Sequence, residues 1–246
     1  MKRVVLALVG LAGLSVTSAF AADMAVKAPM AAPATYNTWT GFYVGASLGG
    51  QWLNYNSTAT VVPVGGVVGA TRSQNTASVR AGGYAGYNWQ IGPMWVVGLE
   101  GDYAWGNNSQ TTAFFPGAPV ANVGDSTSEK QKWDASARVR VGYLLTPAWL
   151  LYATGGGAWE GVDATANCSA ATCGAVLAQT NSVTRSGWTV GGGIEWMLAR
   201  NWIARAEYRY ADYGSWTSTF FTGALATTSA TKITANTAYA GIAYKF

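Results

Sequence analysis

The sequence predicts an all-β fold, an eight-stranded antiparallel transmembrane β-barrel, and three observations predict it. Eight segments alternate apolar and polar residues with a period of two, which is the period of a strand and not of a helix. The connections between these segments alternate between short and long, as in membrane barrels with turns on one side and loops on the other. Only 11% of the residues are charged, whereas soluble domains average about 25%.

The N-terminus has the features of a secretory signal peptide. Lys2 and Arg3 precede an apolar run, and Ala19, Phe20 and Ala21 form a small-residue cleavage pattern, so we expect residues 1–21 to be removed. An uncleaved membrane anchor is the alternative, but the Ser/Thr-rich, small-residue end of the run favours cleavage. Loss of the two basic residues leaves 13 basic against 11 acidic residues. Net charge therefore gives no support for nucleic-acid binding.

The rest of the chain divides into a linker and one barrel domain. Residues 22–38 are rich in Ala and Pro and do not alternate, which predicts an extended periplasmic linker. Residues 39–246 form the predicted barrel. Its strands cover approximately residues 41–53, 76–91, 94–106, 132–145, 149–161, 184–198, 202–213 and 232–246.

The connections predict which end of the barrel faces which side of the membrane. Those near residues 92–93, 146–148 and 199–201 are short and predict periplasmic turns. The other four are about twenty residues each, rich in Ser, Thr, Asn, Gly and Ala, and predict long extracellular loops. They cover approximately residues 54–75, 107–131, 162–183 and 214–231.

The predicted lumen charges lie on the row opposite the apolar one, and we expect this row to face the lumen. A soluble barrel would put its apolar row inside, but an apolar row with aromatic ends is typical of a lipid-facing surface. The predicted lumen network has seven positive and six negative residues, a balance that suits pairing across the lumen. It comprises Arg80, Glu100, Asp102, Asp134, Arg138, Arg140, Glu160, Arg185, Glu195, Arg205, Glu207, Arg209 and Lys245.

The opposite row is apolar and carries aromatic residues near both ends of the strands. In several strands, the aromatic residue near one end lies ten residues from the one near the other end. Ten residues correspond to a rise of about 33 Å. At a tilt of roughly 40°, this rise spans the ~25 Å height of an outer-membrane apolar band. We expect them to form two aromatic girdles. The predicted girdle residues are Phe42, Trp52, Trp89, Trp95, Trp105, Trp133, Tyr143, Trp149, Trp159, Trp188, Trp196, Trp202 and Tyr244.

Cys168 and Cys173 are the only cysteines. An exported protein passes into an oxidising compartment, which favours a disulfide between them. Zinc is the alternative, but the chain has no histidine, so a closed site of nitrogen and sulfur ligands cannot be built. We therefore expect a disulfide within an extracellular loop.

Five stretches carry a resemblance to a known family: WTGFYVGASLGG, GYNWQIGPMWVVGLEGDYAW, RVRVGYLLTPAWLLYATGGGAW, EWMLARNWIARAEYRYADYG and AYAGIAYKF. Together they resemble the small alphaproteobacterial outer-membrane β-barrel proteins, named outer membrane immunogenic proteins or opacity-type porin family proteins. The resemblance covers about residues 39–246 and does not include the two cysteines. It implies a barrel in the bacterial outer membrane, similar to the transmembrane domain of OmpA without its peptidoglycan-binding domain. It also implies that Phe246 is a signal for the barrel-assembly machinery.

The residues give little support for catalysis. Without histidine, Ser-His-Asp triads and Cys-His pairs are excluded. Glu100 and Asp102 could form a carboxylate site, but their arginine neighbours favour salt bridges. The clusters GGGIEW and ATGGGAW lack the Lys-Ser/Thr of a phosphate-binding loop. We therefore expect no enzymatic activity, no cofactor and no metal site.

The predicted function is that of a structural outer-membrane barrel with a largely plugged, salt-bridged lumen, which contributes to envelope integrity and surface properties. A narrow passive channel and a surface-binding module formed by the loops are the alternatives. Expected partners are outer-membrane lipid, including lipopolysaccharide, and the assembly machinery, but no nucleic acid. The sequence does not determine the oligomeric state, although a monomer is the simplest expectation.

Overall fold

A computed structural model describes residues 38–61, 70–106, 108–112, 124, 126–220 and 227–246. The predicted signal peptide and almost all of the predicted linker lie outside the described residues. Strands dominate, with one short helix. The elements are β1 (Gly41–Val61), β2 (Ala70–Gln90), β3 (Trp95–Gly106), β4 (Ser109–Thr112), β5 (Ser126–Thr146), β6 (Trp149–Cys168), α1 (Ala170–Cys173), β7 (Leu177–Ala199), β8 (Trp202–Phe220) and β9 (Thr227–Lys245).

The strands form one antiparallel sheet that closes on itself. Their order is β3-β2-β1-β9-β8-β7-β6-β5-β4, and an additional pairing of β3 with β5 completes the ring. β4 pairs with the same edge of β5 as β3 does, so it adds a ninth strand without adding a position to the ring. The predicted antiparallel barrel is therefore confirmed. The eight predicted segments correspond to eight ring positions, one of which contains two strands.

The strands extend further toward the loop side than the sequence predicts. β6 reaches Cys168 and β7 begins at Leu177, so this connection covers residues 169–176 and not the predicted 162–183. β1 reaches Val61, β5 begins at Ser126 and β8 reaches Phe220, so these strands also extend into the predicted loops. The predicted strands were therefore too short on the loop side. Backbone pairing continues although the outward row is no longer apolar, and the many threonines of these segments favour extended backbone.

The short connections lie where the sequence predicts them. β2 and β3 are separated by residues 91–94, β5 and β6 by Pro147 and Ala148, and β7 and β8 by Arg200 and Asn201. We call this end of the barrel the turn side and the other end the loop side. No helix among the described residues is both long and apolar enough to cross a membrane.

Alternation along the strands separates an inner from an outer surface. In β3, Glu100 and Ala104 are buried, whereas their chain neighbours Leu99 and Trp105 are exposed. This arrangement reverses that of a soluble barrel, because the buried row holds the charges and the exposed row holds the large apolar side chains. The lumen is therefore the place where polar chemistry is concentrated.

Candidate functional site: the ion-paired lumen

The structure places all thirteen residues of the predicted lumen network in the buried interior. Ten of them belong to two clusters stacked along the barrel axis. The turn-side cluster contains Glu100, Arg138, Arg140, Glu195, Arg205 and Glu207. The loop-side cluster contains Arg80, Asp102, Asp134 and Arg209.

Glu100 is the centre of the turn-side cluster. Its Oε1 accepts a hydrogen bond from Arg138 Nη2 at 2.5 Å, and its Oε2 accepts one from Arg205 Nη2 at 2.5 Å. Arg205 also donates to Glu195 Oε1 at 2.5 Å, and Arg138 forms an ion pair with Glu207. Each charge of the turn-side cluster therefore has at least one partner of opposite sign, which is the condition for tolerating charge away from water.

The Glu100–Arg205 contact crosses the whole lumen. Glu100 lies on β3 and Arg205 on β8, and three strands of the ring separate them in either direction. Asp102 on β3 and Arg209 on β8 make a second contact of this kind, with Nη1 of the arginine 2.8 Å from Oδ1. Opposite walls of the barrel thus touch directly through charged side chains.

The loop-side cluster repeats the arrangement with aspartates. Arg80 donates from Nη2 to Asp102 at 2.5 Å and to Asp134 at 2.6 Å. Arg209 approaches the same two carboxylates, and Ser136 donates a hydrogen bond to Asp102. Arg138 links the clusters, since its Nη2 lies 3.4 Å from Asp102. The ten charges therefore form one connected network.

Tyrosines complete the turn-side cluster. The Tyr43 hydroxyl donates to Glu100 at 2.7 Å, and the Tyr152 hydroxyl donates to Glu207 at 2.6 Å. The guanidinium of Arg205 lies 4.2 Å from the ring centre of Tyr84, and that of Arg140 lies at the same distance from Tyr152. Such stacking suits arginine because its planar cation is weakly hydrated.

Inward glycines make room for these rings. A Cβ atom on Gly86 would lie 2.3 Å from the Tyr43 hydroxyl and 2.5 Å from the carbonyl oxygen of Leu99. A Cβ atom on Gly193 would similarly lie 2.7 Å from the Tyr152 hydroxyl. The alternation of glycine with bulky residues therefore determines which side chains fit at each level.

Trp39 caps the turn side of the lumen. Its side chain is completely buried, its indole N–H donates to the carbonyl of Pro147 at 3.2 Å, and its backbone N–H donates to Gln90 Oε1 at 3.0 Å. β1 and β6 occupy opposite positions in the ring. The residues that lead into β1 therefore cross the mouth of the barrel and contact the turn on its far side.

Apolar residues fill the lumen beside the charges. One cluster surrounds the cap and consists of Trp39, Tyr43, Tyr84, Val96, Leu144, Leu150, Met197, Ile203 and Ala243. A second cluster lies toward the loop side and consists of Leu53, Tyr55, Ala158, Ala211, Tyr213, Ile233 and Ala235. The ion-pair network is thus enclosed between apolar layers, which lowers its exposure to water.

Three predicted network residues lie apart from the clusters. Arg185 Nη1 is 3.6 Å from Glu160 Oε1, and Gln131 donates to the other oxygen of Glu160 at 3.3 Å. Lys245 lies at the turn side, where its Nζ is 3.4 Å from the carbonyl oxygen of Thr40. No ion pair among the described residues includes Lys245, because the carboxylates of the network lie further along the barrel axis.

The outer surface carries the predicted girdle residues. Twelve of the thirteen are exposed, and Trp133 is half-buried because it stacks on Tyr103 with ring centres 5.9 Å apart. The rings near the turn side form cross-strand pairs such as Trp149 with Trp196, 5.3 Å apart, and Trp202 with Tyr244, 5.3 Å apart. Phe246 extends this row and is exposed.

The two cysteines form a disulfide at the tip of the β6–β7 hairpin. α1 begins two residues after Cys168 and ends at Cys173, so the bond closes a single helical turn. Among the described residues, no group of three or more Cys, Asp or Glu side chains is arranged to hold a metal ion.

The chain is similar to known outer-membrane proteins along most of its length. The family model described as outer membrane protein beta-barrel domain matches residues 10–246. The 31 kDa outer-membrane immunogenic protein of Brucella melitensis is 34% identical over 224 residues, which cover 87% of this chain and 88% of the relative. The 25 kDa outer-membrane immunogenic protein of Brucella abortus is 32% identical and matches 100% of this chain and 99% of its own.

The chain belongs to the outer-membrane β-barrel family. This barrel is accordingly a protein of the bacterial outer membrane, as the sequence predicts. Among solved structures, the outer membrane protein OprG of Pseudomonas aeruginosa aligns with a TM-score of 0.53 at 12% identity, covering 84% of this chain and 96% of OprG. The outer membrane protease OmpT of Escherichia coli aligns with a TM-score of 0.52 at 10% identity, covering 84% of this chain and 97% of OmpT. At these identities the likeness shows the fold alone.

Proposed function

We propose that this outer-membrane β-barrel is a closed structural protein that contributes to envelope integrity and does not conduct solutes. The observation that carries the proposal is the direct contact between opposite walls, where Arg205 and Glu100 meet at 2.5 Å across the lumen. A water-filled path would need these groups to be hydrated and separated. Ion pairs enclosed by apolar layers are instead expected to stay closed, because separating them would leave unpaired charges in the interior of the barrel.

The cap at the turn side supports the same conclusion. Trp39 and the apolar side chains around it lie between the ion-pair network and the turn-side mouth. Even a rearrangement of the arginines would leave this layer in the way of a solute. Conduction would therefore require at least two independent movements, of the cap and of the cross-lumen pairs.

A structural role also fits the chemistry of the lumen. Each carboxylate of the two clusters is engaged by arginine. A carboxylate held by arginines is a poor general base, because its negative charge is already stabilised. The chain contains no histidine to take that role. The similarity to the OmpT fold does not extend this proposal to proteolysis.

Planar-bilayer recording of the refolded full chain tests the proposal. We expect no steady conductance at neutral pH in 1 M salt, with an open porin as the positive control. A variant that combines Trp39→Ala, Glu100→Ala and Arg205→Ala removes both the cap and a cross-lumen pair. This variant is expected to show intermittent currents. Steady conductance from the unaltered barrel would contradict the proposal and support a narrow channel.

A cellular experiment tests the envelope role separately. Deletion of the gene is expected to increase the sensitivity of the cells to detergent and to large antibiotics that the outer membrane normally excludes. The unaltered, non-conducting chain should restore resistance when it is supplied in trans. Unchanged sensitivity after deletion would argue against the envelope role even if the lumen is closed.

A further inference from the structure

The outer surface has a compact group of charges directly beyond the loop-side aromatic girdle. A register shift between Gln131 and Trp133 on β5 marks a β-bulge. Gln131 faces the lumen and is completely buried, whereas Lys130 and Lys132 on either side of it are exposed. The bulge places Lys132 beside Trp133, at the level where lipid headgroups meet the apolar band.

We call Lys130, Lys132, Asp163 and Ser182 the lysine patch. The Lys132 ammonium forms an ion pair with Asp163, and the Ser182 hydroxyl donates to the same carboxylate at 2.7 Å. The hydrogen bond from Lys132 and, to a smaller extent, that from Ser182 lower the pKa of Asp163. The carboxylate therefore stays ionised at neutral pH. The patch contains two cations and one anion, and its net charge is positive.

Lys130 supplies the cation that is not neutralised. It lies directly opposite Asp163 in the β5–β6 register. No salt bridge among the described residues includes it. Its ammonium is therefore available to an anion that approaches from the membrane surface, while the Lys132–Asp163 pair keeps the second ammonium in place.

An aromatic shelf lies on the membrane side of the patch. Tyr103 stacks on Trp133 with an angle of 18° between the rings, and Trp105 meets Tyr103 edge to face at 5.5 Å. The Trp105 side chain is 65% exposed. Indole and phenol rings prefer this interfacial depth, where they contact acyl chains on one side and polar headgroups on the other.

We propose that the lysine patch and the aromatic shelf bind one phosphorylated lipid of the outer leaflet, with its phosphate at Lys130 and Lys132. The opposite sign of the lysines and the phosphate provides the attraction. The shelf positions the sugar and the first carbons of the acyl chains below it. The partner is a lipid phosphate of the lipopolysaccharide type, and the site depends on the outer-membrane location and not on closure of the lumen.

The far side of the barrel provides a matched control. Lys232 on β9 lies 3.1 Å from Asp212 on β8, and its side chain is 50% exposed. This pair also faces outward, but it contains one cation and one anion. Its net charge is zero, so the same chemistry gives no reason for phosphate binding there.

Native mass spectrometry of the refolded full chain in detergent tests the proposal. The probe is lipid A with both phosphates, compared with lipid A from which both phosphates have been removed. K130Q/K132Q is expected to bind phosphorylated lipid A about 30-fold more weakly, from a roughly fivefold contribution per lysine at an anionic surface. K232Q is expected to bind like the unaltered chain. Altered mobility of unboiled samples in gels verifies that each variant is folded.

Three outcomes would overturn the inference. The first is equal binding of phosphorylated lipid A by K130Q/K132Q and the unaltered chain. The second is equal binding of the two lipids. The third is displacement of lipid A by millimolar inorganic phosphate, which would show that the patch recognises free anions and not a lipid. The lipid-binding experiment does not depend on whether the barrel conducts. Failure of this inference is therefore distinguishable from failure of the closed-barrel proposal.

Discussion

Arg205 and Glu100 approach to 2.5 Å although their strands occupy opposite positions in the ring. The two side chains therefore bridge the lumen at this level of the barrel. Removal of the Glu100 side chain would take one carboxylate from its three buried partners, Arg138, Arg140 and Arg205. The consequences for stability can be measured directly.

Glu100→Ala is expected to destabilise the barrel by about 3–5 kcal/mol, because it leaves three buried arginines to share the two carboxylates of Glu195 and Glu207. The measurement is reversible urea unfolding in lipid vesicles, followed by tryptophan fluorescence. Asp212→Asn is the control, since its ion pair with Lys232 faces outward and is partly solvated. It should cost less than about 1 kcal/mol. An equal loss of unfolding free energy for the two variants would mean that the cross-lumen contact stabilises the barrel no more than a surface ion pair does.

Gly86→Ala tests whether the inward glycines are required by the tyrosines. The new methyl group would lie 2.3 Å from the Tyr43 hydroxyl and 2.5 Å from the Leu99 carbonyl oxygen. We expect a loss of about 1–3 kcal/mol, as for other overpacked cores. Gly83→Ala on the same strand faces outward, and its methyl group would have no neighbour closer than 3.5 Å. The same unfolding assay should show no loss for that control.

Trp39→Ala is expected to lower stability by about 3–5 kcal/mol, the usual cost of a large cavity. Trp39→Phe retains most of the apolar contacts but loses the hydrogen bond to Pro147, so it should cost only about 1 kcal/mol. The temperature at which the folded gel band disappears ranks the three proteins. If the folded band of Trp39→Ala disappears at the same temperature as that of the unaltered protein, the indole does not stabilise the barrel as a cap.

Reduction of the Cys168–Cys173 bond is expected to affect only the hairpin tip. The bond joins residues five positions apart, and so short a loop contributes less chain entropy than the ~3 kcal/mol of a fifteen-residue loop. Limited proteolysis with mass spectrometry should find faster cleavage within residues 169–176 after reduction. The unfolding midpoint should not move. A large shift of the midpoint would show that the disulfide supports the barrel itself.

Deletion of Phe246 tests our proposal that this residue is a signal for the barrel-assembly machinery. The side chain is exposed and packs edge to face on Tyr244, while its backbone N–H donates to the carbonyl of Phe42 at 2.9 Å. We expect less assembled protein in outer-membrane fractions but normal refolding in detergent. Phe246→Tyr, which keeps a terminal ring, should restore the yield. Unchanged yield after deletion would contradict the signal.

The two rows of each strand could be predicted from the sequence, because alternation at period two is a local property. In β3 the charged Glu100 and the apolar Leu99 already differ in sequence, and this difference determines which one faces the lumen. The cross-lumen partners could not be predicted in this way. They depend on ring position and register, which bring Arg205 to Glu100 and leave Lys245 without a carboxylate.

Other features were missed for identifiable reasons. Tyr84 and Tyr152 lie on the same rows as Arg80 and Glu160, and Tyr43 lies on the row of β1 opposite the apolar Phe42 and Val44, so these positions could have indicated a role in the lumen. Trp39 precedes the first strand, so no alternation applies to it. The extended loop-side strands were missed because their outward residues are polar, as Asp163, Thr165 and Asn167 are in β6, so the lipid-facing apolar row does not continue into them.

The cap joins the beginning of the barrel to its middle, since Trp39 and Pro147 are 108 positions apart in the chain. Such a contact can form only after both segments have been delivered to the same place. The mouth can therefore close only after β1 and β6 have reached opposite positions in the ring. Until then the turn-side mouth lacks its apolar cap, and water can reach the ion-pair network from that side.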